Sequence, residues 1–332
     1  MSWYDKTGPL DDIVISTRVR LARNLKGIPF PAKMSKEQFF EVNKSIKEVI
    51  EKSPLPIAKE LKFINMDDIP DNERESMVER HIISPAFSKN YSGRAILINK
   101  DETICVMIGE EDHIRIQIIL PGLQLENAYN IASLVDDMLC SNLEIAYDKR
   151  LGFLTECPTN VGTGLRASVM MHLPLTAQNG NLRSFINKAS KIGYTVRGIY
   201  GEGSKAYANF YQISNQITLG VSEENVLKNL NAIAENLLKN ENELINRIDK
   251  TRLLDISSRA LGTLKYAKII SSNEMMTNIS NLMIGVAGKL ITVNKKPYSL
   301  FIEGQPYNLM KKYGQMSAEE RDVKRAEILN EL

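Results

Sequence analysis

The stretch Thr155-Glu-Cys-Pro-Thr-Asn-Val-Gly-Thr-Gly-Leu-Arg-Ala-Ser-Val-Met-Met171 decides the reading of this chain. A cysteine precedes a proline, a polar glycine turn follows, and Arg166 opens a run that alternates like a strand. The segment therefore offers a candidate thiolate, backbone N–H groups in a turn and a fixed cation. Those are parts for handling a phosphate beside a charged nucleophile. Gly162-Thr-Gly164-Leu-Arg-Ala167 also fits the loose dinucleotide pattern G-x-G-x-x-A. Polar residues precede it and alternation rather than a helix follows, so the dinucleotide reading is set aside.

Working outward, the same alternation recurs. Asp12–Arg20 places Arg18 and Arg20 on one strand face and Thr17, Val19 and Leu21 on the other. Two guanidinium forks on one face suit a polyphosphate, or else mark a solvated strand edge. Glu110–Gln117 places Glu111, His113, Arg115 and Gln117 opposite Ile114, Ile116 and Ile118. That face reads as a catalytic set or as salt-bridge decoration. Val196-Arg-Gly-Ile-Tyr-Gly-Glu-Gly203 puts Arg197 on a strand and Glu202 in a glycine-flanked turn. A carboxylate there can close over a cation, or be a plain hairpin acid. Near the end, Arg321 and Arg325 lie one helical turn apart with Asp322 beside the first.

Helical patterns run over Ser35–Lys52, with Ser35 and Gln38 spaced as a capping box, and over Pro70–Glu79, Leu125–Cys140 and Asn181–Ile192. Strand patterns cover Arg94–Ile98, Thr103–Ile108, Leu165–Leu173, Tyr194–Ile199 and Asn209–Ile213. From Ser222 onward nearly everything reads as helix, apart from a loop expected at Tyr298–Gly304, and Ser317–Glu320 forms a second capping box. Eight of the nineteen glycines lie between Gly152 and Gly203, so the middle of the chain is turn-rich sheet. The expectation is an α+β fold. A mainly antiparallel sheet flanked by helices would occupy 1–245, and a small all-α domain 246–332.

The 332 residues are 43% hydrophobic and 25% charged, with a net charge of +2, so bulk charge gives no reason to expect nucleic-acid or membrane binding. No apolar run reaches membrane-span length, and the N-terminus has no apolar signal core, which together predict a cytoplasmic protein. The three cysteines, Cys105, Cys140 and Cys157, are scattered and odd in number, arguing against a disulfide framework. His81, His113 and His172 have no metal-ligand spacing.

In order, S-T-R-V-R-L-A-R, E-E-D-H-I-R, C-P-T-N-V-G-T-G-L-R-A-S-V and R-G-x-x-G-E resemble the phosphagen (guanidino) kinases. V-R-G-I-Y-G-E-G-S, Y-Q-I-S-N-Q-I-T-L-G and R-D-V-K-R-A resemble the bacterial protein-arginine kinase branch of that family, the McsB type. Metabolic members carry a helical N-terminal domain before the first arginine motif, which here begins at Ser16. The expectation is therefore a site open to an arginine side chain on a protein.

The resemblance implies the following roles. Arg18, Arg20, Arg115, Arg166 and Arg197 clamp the phosphates and the moving phosphoryl group. Ser16, Thr17, Val19 and His81 line the nucleotide site, with the backbones of Ala167, Ser168, Val169 and Met170 and of Gly198, Ile199, Tyr200, Gly201 and Glu202. Glu111 is the catalytic carboxylate, Glu202 the second guanidinium carboxylate and Cys157 the reactive cysteine. Arg321, Asp322 and Arg325 form an allosteric phosphoarginine site. ATP is used with a Mg²⁺ that the nucleotide carries, without a protein metal site. The implied partners are arginine-bearing protein substrates, a second copy in a homodimer, a zinc-binding activator, a heat-shock repressor and the ClpC–ClpP protease. A metabolic kinase for a free guanidine and a phosphoarginine-binding adaptor are the alternatives.

Overall fold

The computed structural model describes residues 1–198 and 207–332. The expectations for Ile199, Tyr200, Gly201 and Glu202 fall outside the described residues. The strands are β1 (Val14–Arg23), β2 (Lys62–Asn65), β3 (Ala95–Ile98), β4 (Ile104–Ile108), β5 (Ile114–Pro121), β6 (Tyr147–Asp148), β7 (Gly152–Phe153), β8 (Leu165–His172), β9 (Tyr194–Gly198) and β10 (Phe210–Asn215). The helices are α1 (Lys36–Lys52), α2 (Pro56–Glu60), α3 (Asp71–Glu79), α4 (Pro85–Lys89), α5 (Leu125–Cys140), α6 (Pro174–Gln178), α7 (Asn181–Lys191), α8 (Glu223–Arg247), α9 (Lys250–Tyr266), α10 (Ser272–Ala287), α11 (Pro297–Glu303), α12 (Pro306–Tyr313) and α13 (Ala318–Leu329).

Among the described residues one eight-stranded sheet runs β2-β3-β4-β5-β1-β8-β10-β9, with β6 and β7 as a separate hairpin. Every neighbouring pair in the large sheet is antiparallel. β1, near the middle, pairs with β5 on one side and β8 on the other. Period-two alternation then sorts each strand between two faces. Val19, Leu21, Ile116, Ile118, Ala167, Val169 and Ile213 face a main core that they share with α1, α5 and α8. Those helices have apolar residues at helical spacing, such as Ala128, Ala132 and Val135 on α5 and Val226, Leu230 and Leu237 on α8.

The opposite face is covered at two places. At one, Ile15, Ile119, Met170 and Phe210 pack against the C-terminal helices through Met275, Tyr298 and Phe301. At the other, Ile96, Cys105 and Met107 pack under Met77, Ile83 and Phe87 from α3, α4 and the turn between them. Between the two covers, the same face keeps its polar residues.

Both capping boxes are formed: Ser35 with Gln38 at α1 and Ser317 with Glu320 at α13. The segment expected as a loop at Tyr298–Gly304 is largely helix α11. Pro297 supplies its first position, and Tyr298, Leu300, Phe301 and Ile302 are buried. Seven residues are too few to be stable alone, so burial in the second core holds this helix. Helix α8 ends at Ile248, and helix restarts after Asp249, which caps α9 through its side chain.

Candidate active site

Strand register builds the floor of the cleft. Arg20 lies opposite Gln117 on β5 and Arg166 on β8, and Arg18 lies opposite Ser168. Gln212 on β10 lies opposite Met170 and Arg197. Arg115 precedes Gln117 by two residues and so shares its face. Five arginines thus stand on one surface of the sheet, with Arg20 and Arg166 directly across from each other. Like charges in that position destabilise a sheet, so the arrangement calls for an anion.

The electrostatics agree. Burial, and then the charges of Arg115 and Arg166, push the Arg18 guanidinium down to about 10. Arg20 is pushed well below its ordinary value by burial and then by Arg18, Arg115 and Arg166. Burial and Arg197 lower Arg166 as well. Partners are few. Arg18 donates to Gln212 Oε1 at 2.9 Å, and Arg115 pairs with Glu110. Glu110 also accepts from Ser84 Oγ at 2.6 Å. Burial works to raise Glu110, but Arg115 and Ser84 together hold its carboxyl below the usual range. Arg20 Nε is buried with no hydrogen-bond partner among the described residues. An unpaired buried guanidinium N–H is costly, and a phosphate oxygen is the acceptor that fits it.

Two cavities open on this floor. One, of about 480 Å³, is lined by Arg18, Arg20, His81, Ser84, Arg115, Gln117, Met170 and Gln212, with Val78, Ile83, Met107 and Phe301 among its apolar walls. The other, of about 330 Å³, is lined by Arg20, Glu111, Arg115, Cys157, Thr159, Asn160, Arg166, Arg197, Gly198 and Gln212. Arg20, Arg115 and Gln212 line both, so the cavities meet at the arginine cluster. Burial, then Arg18, lowers His81 to about 4, so its ring is neutral at pH 7, and its Nε2 lies 3.3 Å from the Tyr298 hydroxyl.

The Cys157 loop and the Glu111 turn are clamped together by residues the sequence patterns did not single out. Asn24 Nδ2 donates to Asp112 Oδ1 at 2.6 Å and to the Leu154 carbonyl at 2.9 Å. Asn24 Oδ1 accepts from His113 N at 2.9 Å, and Asp112 Oδ1 accepts from Glu156 N at 2.9 Å. Thr218 Oγ1 reaches the carbonyls of Thr159 and Val161 at 2.9 and 2.7 Å. Cys157 Sγ is 3.0 Å from Thr159 Oγ1.

The structure corrects two readings. The glycine turn is not a cradle of free N–H groups. Gly162 N donates to Phe153 O, Thr163 N to Thr218 O, and Gly164 N to Asn160 O. The glycines are there for space: Gly164 has φ +64°, and a Cβ on it would lie 2.6 Å from the Ala22 carbonyl oxygen. His113 also leaves the polar face. β5 begins only at Ile114, and the His113 ring is buried, accepting from Leu25 N at 2.9 Å and lying 2.7 Å from Pro29 O. It is a satisfied core histidine.

Ser16 and Ser168 are buried on the cleft side of β1 and β8. Val19, Ala167 and Val169 turn their side chains into the main core. Thr17 Oγ1 donates to Gly122 O and accepts from Gln124 N. From these four, only main-chain groups are left to meet a nucleotide. In α13, Arg325 is buried and donates to Gly304 O and Ile270 O, each at 2.8 Å, and it pairs with Asp322. Arg321 donates to Met316 O at 3.0 Å. No group of three or more acids, histidines or cysteines placed to hold a metal occurs among the described residues.

Residues 41–244 match the model of the ATP:guanido phosphotransferase C-terminal catalytic domain, and residues 250–332 that of the protein-arginine kinase McsB C-terminal domain. A protein-arginine kinase of Halothermothrix orenii is 43% identical over 98% of this chain and 95% of its own length. One from Caldanaerobacter subterraneus is 42% identical over 99% and 98%. The chain belongs to the protein-arginine kinase family. It is an enzyme of the ATP:guanido phosphotransferase class. A lombricine kinase structure shares the fold, with a TM-score of 0.60 at 22% identity over 72% of this chain and 68% of that one. A duplicated taurocyamine kinase from Schistosoma mansoni has a TM-score of 0.61 at 26% identity, covering 83% of this chain and 42% of that one.

Proposed function

We propose that this enzyme transfers the γ-phosphoryl group of ATP to the guanidino group of arginine residues in proteins. The observation that carries the reading is the meeting of the two cavities at Arg20 and Arg115. The triphosphate lies along Arg18 and Arg20 in the larger cavity, and the acceptor guanidinium enters the smaller one beside Glu111 and Cys157. Arg115, Arg166 and Arg197 gather round the phosphoryl group in transit, neutralising charge that spreads over its oxygens. Arginine is a poor nucleophile because its guanidinium stays protonated. Glu111 takes that proton as the N–P bond forms and the bond to ADP breaks. Glu202 is the second carboxylate in this reading. Mg²⁺ carried by the nucleotide, with water completing its shell, supplies further charge neutralisation.

The protein relatives favour a protein acceptor over a free guanidine, and the acid and arginine set favours catalysis over a binding adaptor. One incubation separates the three: ATP with a basic protein and free arginine in the same tube, read by mass spectrometry without acid. Phosphate on protein arginines is expected. Phosphate on free arginine alone, or none, contradicts the reading.

The same kinship supports further parts of the proposal. The C-terminal helices pair two copies and offer phosphoarginine an allosteric site at Arg321, beside the Asp322–Arg325 pair, whose buried arginine shapes it from behind. The enzyme works in the cytoplasm in the stress response, with a zinc-binding activator, and acts on a heat-shock repressor among its substrates. The ClpC–ClpP protease degrades the marked proteins. Arginine-phosphorylated and unmodified batches of one protein, offered to that protease, test the last step. Equal degradation of both contradicts it.

A further inference from the structure

The larger cavity takes part of its wall from the C-terminal region, through Phe301, Gln305 and Pro306. Its phosphoryl end is marked by Arg20, Arg115 and Gln212, which also line the second cavity. Val78, Ile83, Met107, Met170, Phe301 and Pro306 line the larger cavity alone, a carbon-rich surface of the kind a flat aromatic base requires. Two other carboxamides in that cavity are engaged. Gln117 donates to His81 O and Ile82 O, both at 2.9 Å, and Gln212 accepts from Arg18.

Gln305 differs. It is 9% exposed, and its Nε2 donates to Phe301 O at 3.2 Å. That bond fixes which way the amide faces, keeping Oε1 as an acceptor and one N–H of Nε2 as a donor. We infer that Gln305 reads the base of the nucleotide and selects adenine. Its Oε1 accepts from the 6-amino group while Nε2 donates to the neighbouring ring nitrogen, the pairing a carboxamide makes with adenine. Guanine puts a carbonyl oxygen where adenine has the amino group, so two acceptors meet. Turning the amide over to suit guanine breaks the bond to Phe301. This inference rests on the kinase reading above.

Arg325 is the positioning residue behind Gln305. Its Nε donates to the carbonyl of Gly304, the residue before Gln305, and its Nη1 anchors Ile270 O. A guanidinium fork reaches both carbonyls at once, which a lysine ammonium cannot do at the same geometry. The C-terminal helices thereby become part of the nucleotide site.

The test uses the full-length protein with ATP, GTP and purine riboside triphosphate, which lacks the 6-amino group, as phosphoryl donors. The parent enzyme should show a KM for ATP about tenfold or more below that for either analogue. Gln305→Met keeps the volume but not the hydrogen bonds. It should raise the ATP KM until the preference is gone, with kcat within about twofold. Arg325→Lys should weaken the preference for ATP over GTP in the same direction. A parent enzyme that uses ATP and purine riboside triphosphate equally well overturns the inference, and that comparison stands even if the variants do not fold. So does a folded Gln305→Met enzyme with an unchanged ATP-to-GTP ratio. A parent enzyme that uses no nucleotide overturns the kinase reading and this inference with it.

Discussion

Burying Arg20 between Gln117 and Arg166, with Arg18 and Arg115 close by, costs folding free energy: the group is desolvated, surrounded by like charge and short of an acceptor at Nε. Arg20→Met removes that cost. The variant should be more stable than the parent by about 1–3 kcal/mol, a melting point a few degrees higher, while its ATP turnover falls by about a hundredfold or more. Thermal unfolding and a kinase assay on the same sample check both halves, and a lower melting point contradicts the account. Glu111→Gln keeps shape but cannot take a proton. It should lower kcat by about 10²- to 10⁴-fold with the ATP KM within about threefold, measured in steady-state kinetics. Arg18 and Arg20 were legible because alternation alone puts them on one face. Asn24 and Asp112 were not, since their role is a set of contacts between segments far apart in sequence, with no local pattern to mark them.

At the scale of elements, α3 and α12 are tied by two carboxylates, Glu73 through Lys311 and Glu79 through the α12 main chain. Glu79, at the end of α3, accepts from Tyr307 N at 3.0 Å and Asn308 N at 2.8 Å, in the first turn of α12. Burial outweighs those bonds and raises Glu79 from 4.5 to about 7. The folded state therefore binds more protons than the unfolded chain between those values. The stability from this site is fully present below about pH 4.5 and is lost as pH rises through about 7. Glu79→Gln should flatten that fall. The parent's unfolding free energy, corrected by that of the variant, should drop by about 1–3 kcal/mol from pH 5 to pH 8 in denaturant titrations. A difference that does not change with pH contradicts the assignment. Capping boxes announced α1 and α13 from sequence because that signal is local. Helix α11 gave no such signal, because its stability comes from Phe301, Leu300 and Ile302 packing into a core assembled from distant strands.

In the whole molecule, one sheet serves two purposes. One face carries the main core, and the other carries the arginine cleft between two apolar covers. The class and the antiparallel pairing could be read from short alternating runs joined by turns. The strand order could not, because β1 pairs with β5 and β8 across long stretches of chain and no local residue pattern specifies non-local partners. Because C-terminal and sheet residues line the larger cavity together, nucleotide binding should stabilise them as one unit. ATP at about a hundred times its Kd should add about 2.7 kcal/mol to unfolding in a single transition, and raised salt should shrink the gain. Two transitions, with only one shifted by ATP, contradict this.

The central claim is transfer of phosphorus from ATP to an arginine nitrogen of a protein, and phosphorus NMR follows that atom directly. With the enzyme, Mg²⁺, ATP and an arginine-rich protein, the account predicts loss of the γ-phosphorus signal. A phosphoramidate signal should grow on the macromolecule in step, and it should grow about a hundredfold or more slowly when Glu111→Gln enzyme is used. Conversion of the γ-phosphorus only to inorganic phosphate, or to a phosphate ester on the protein, would contradict the account.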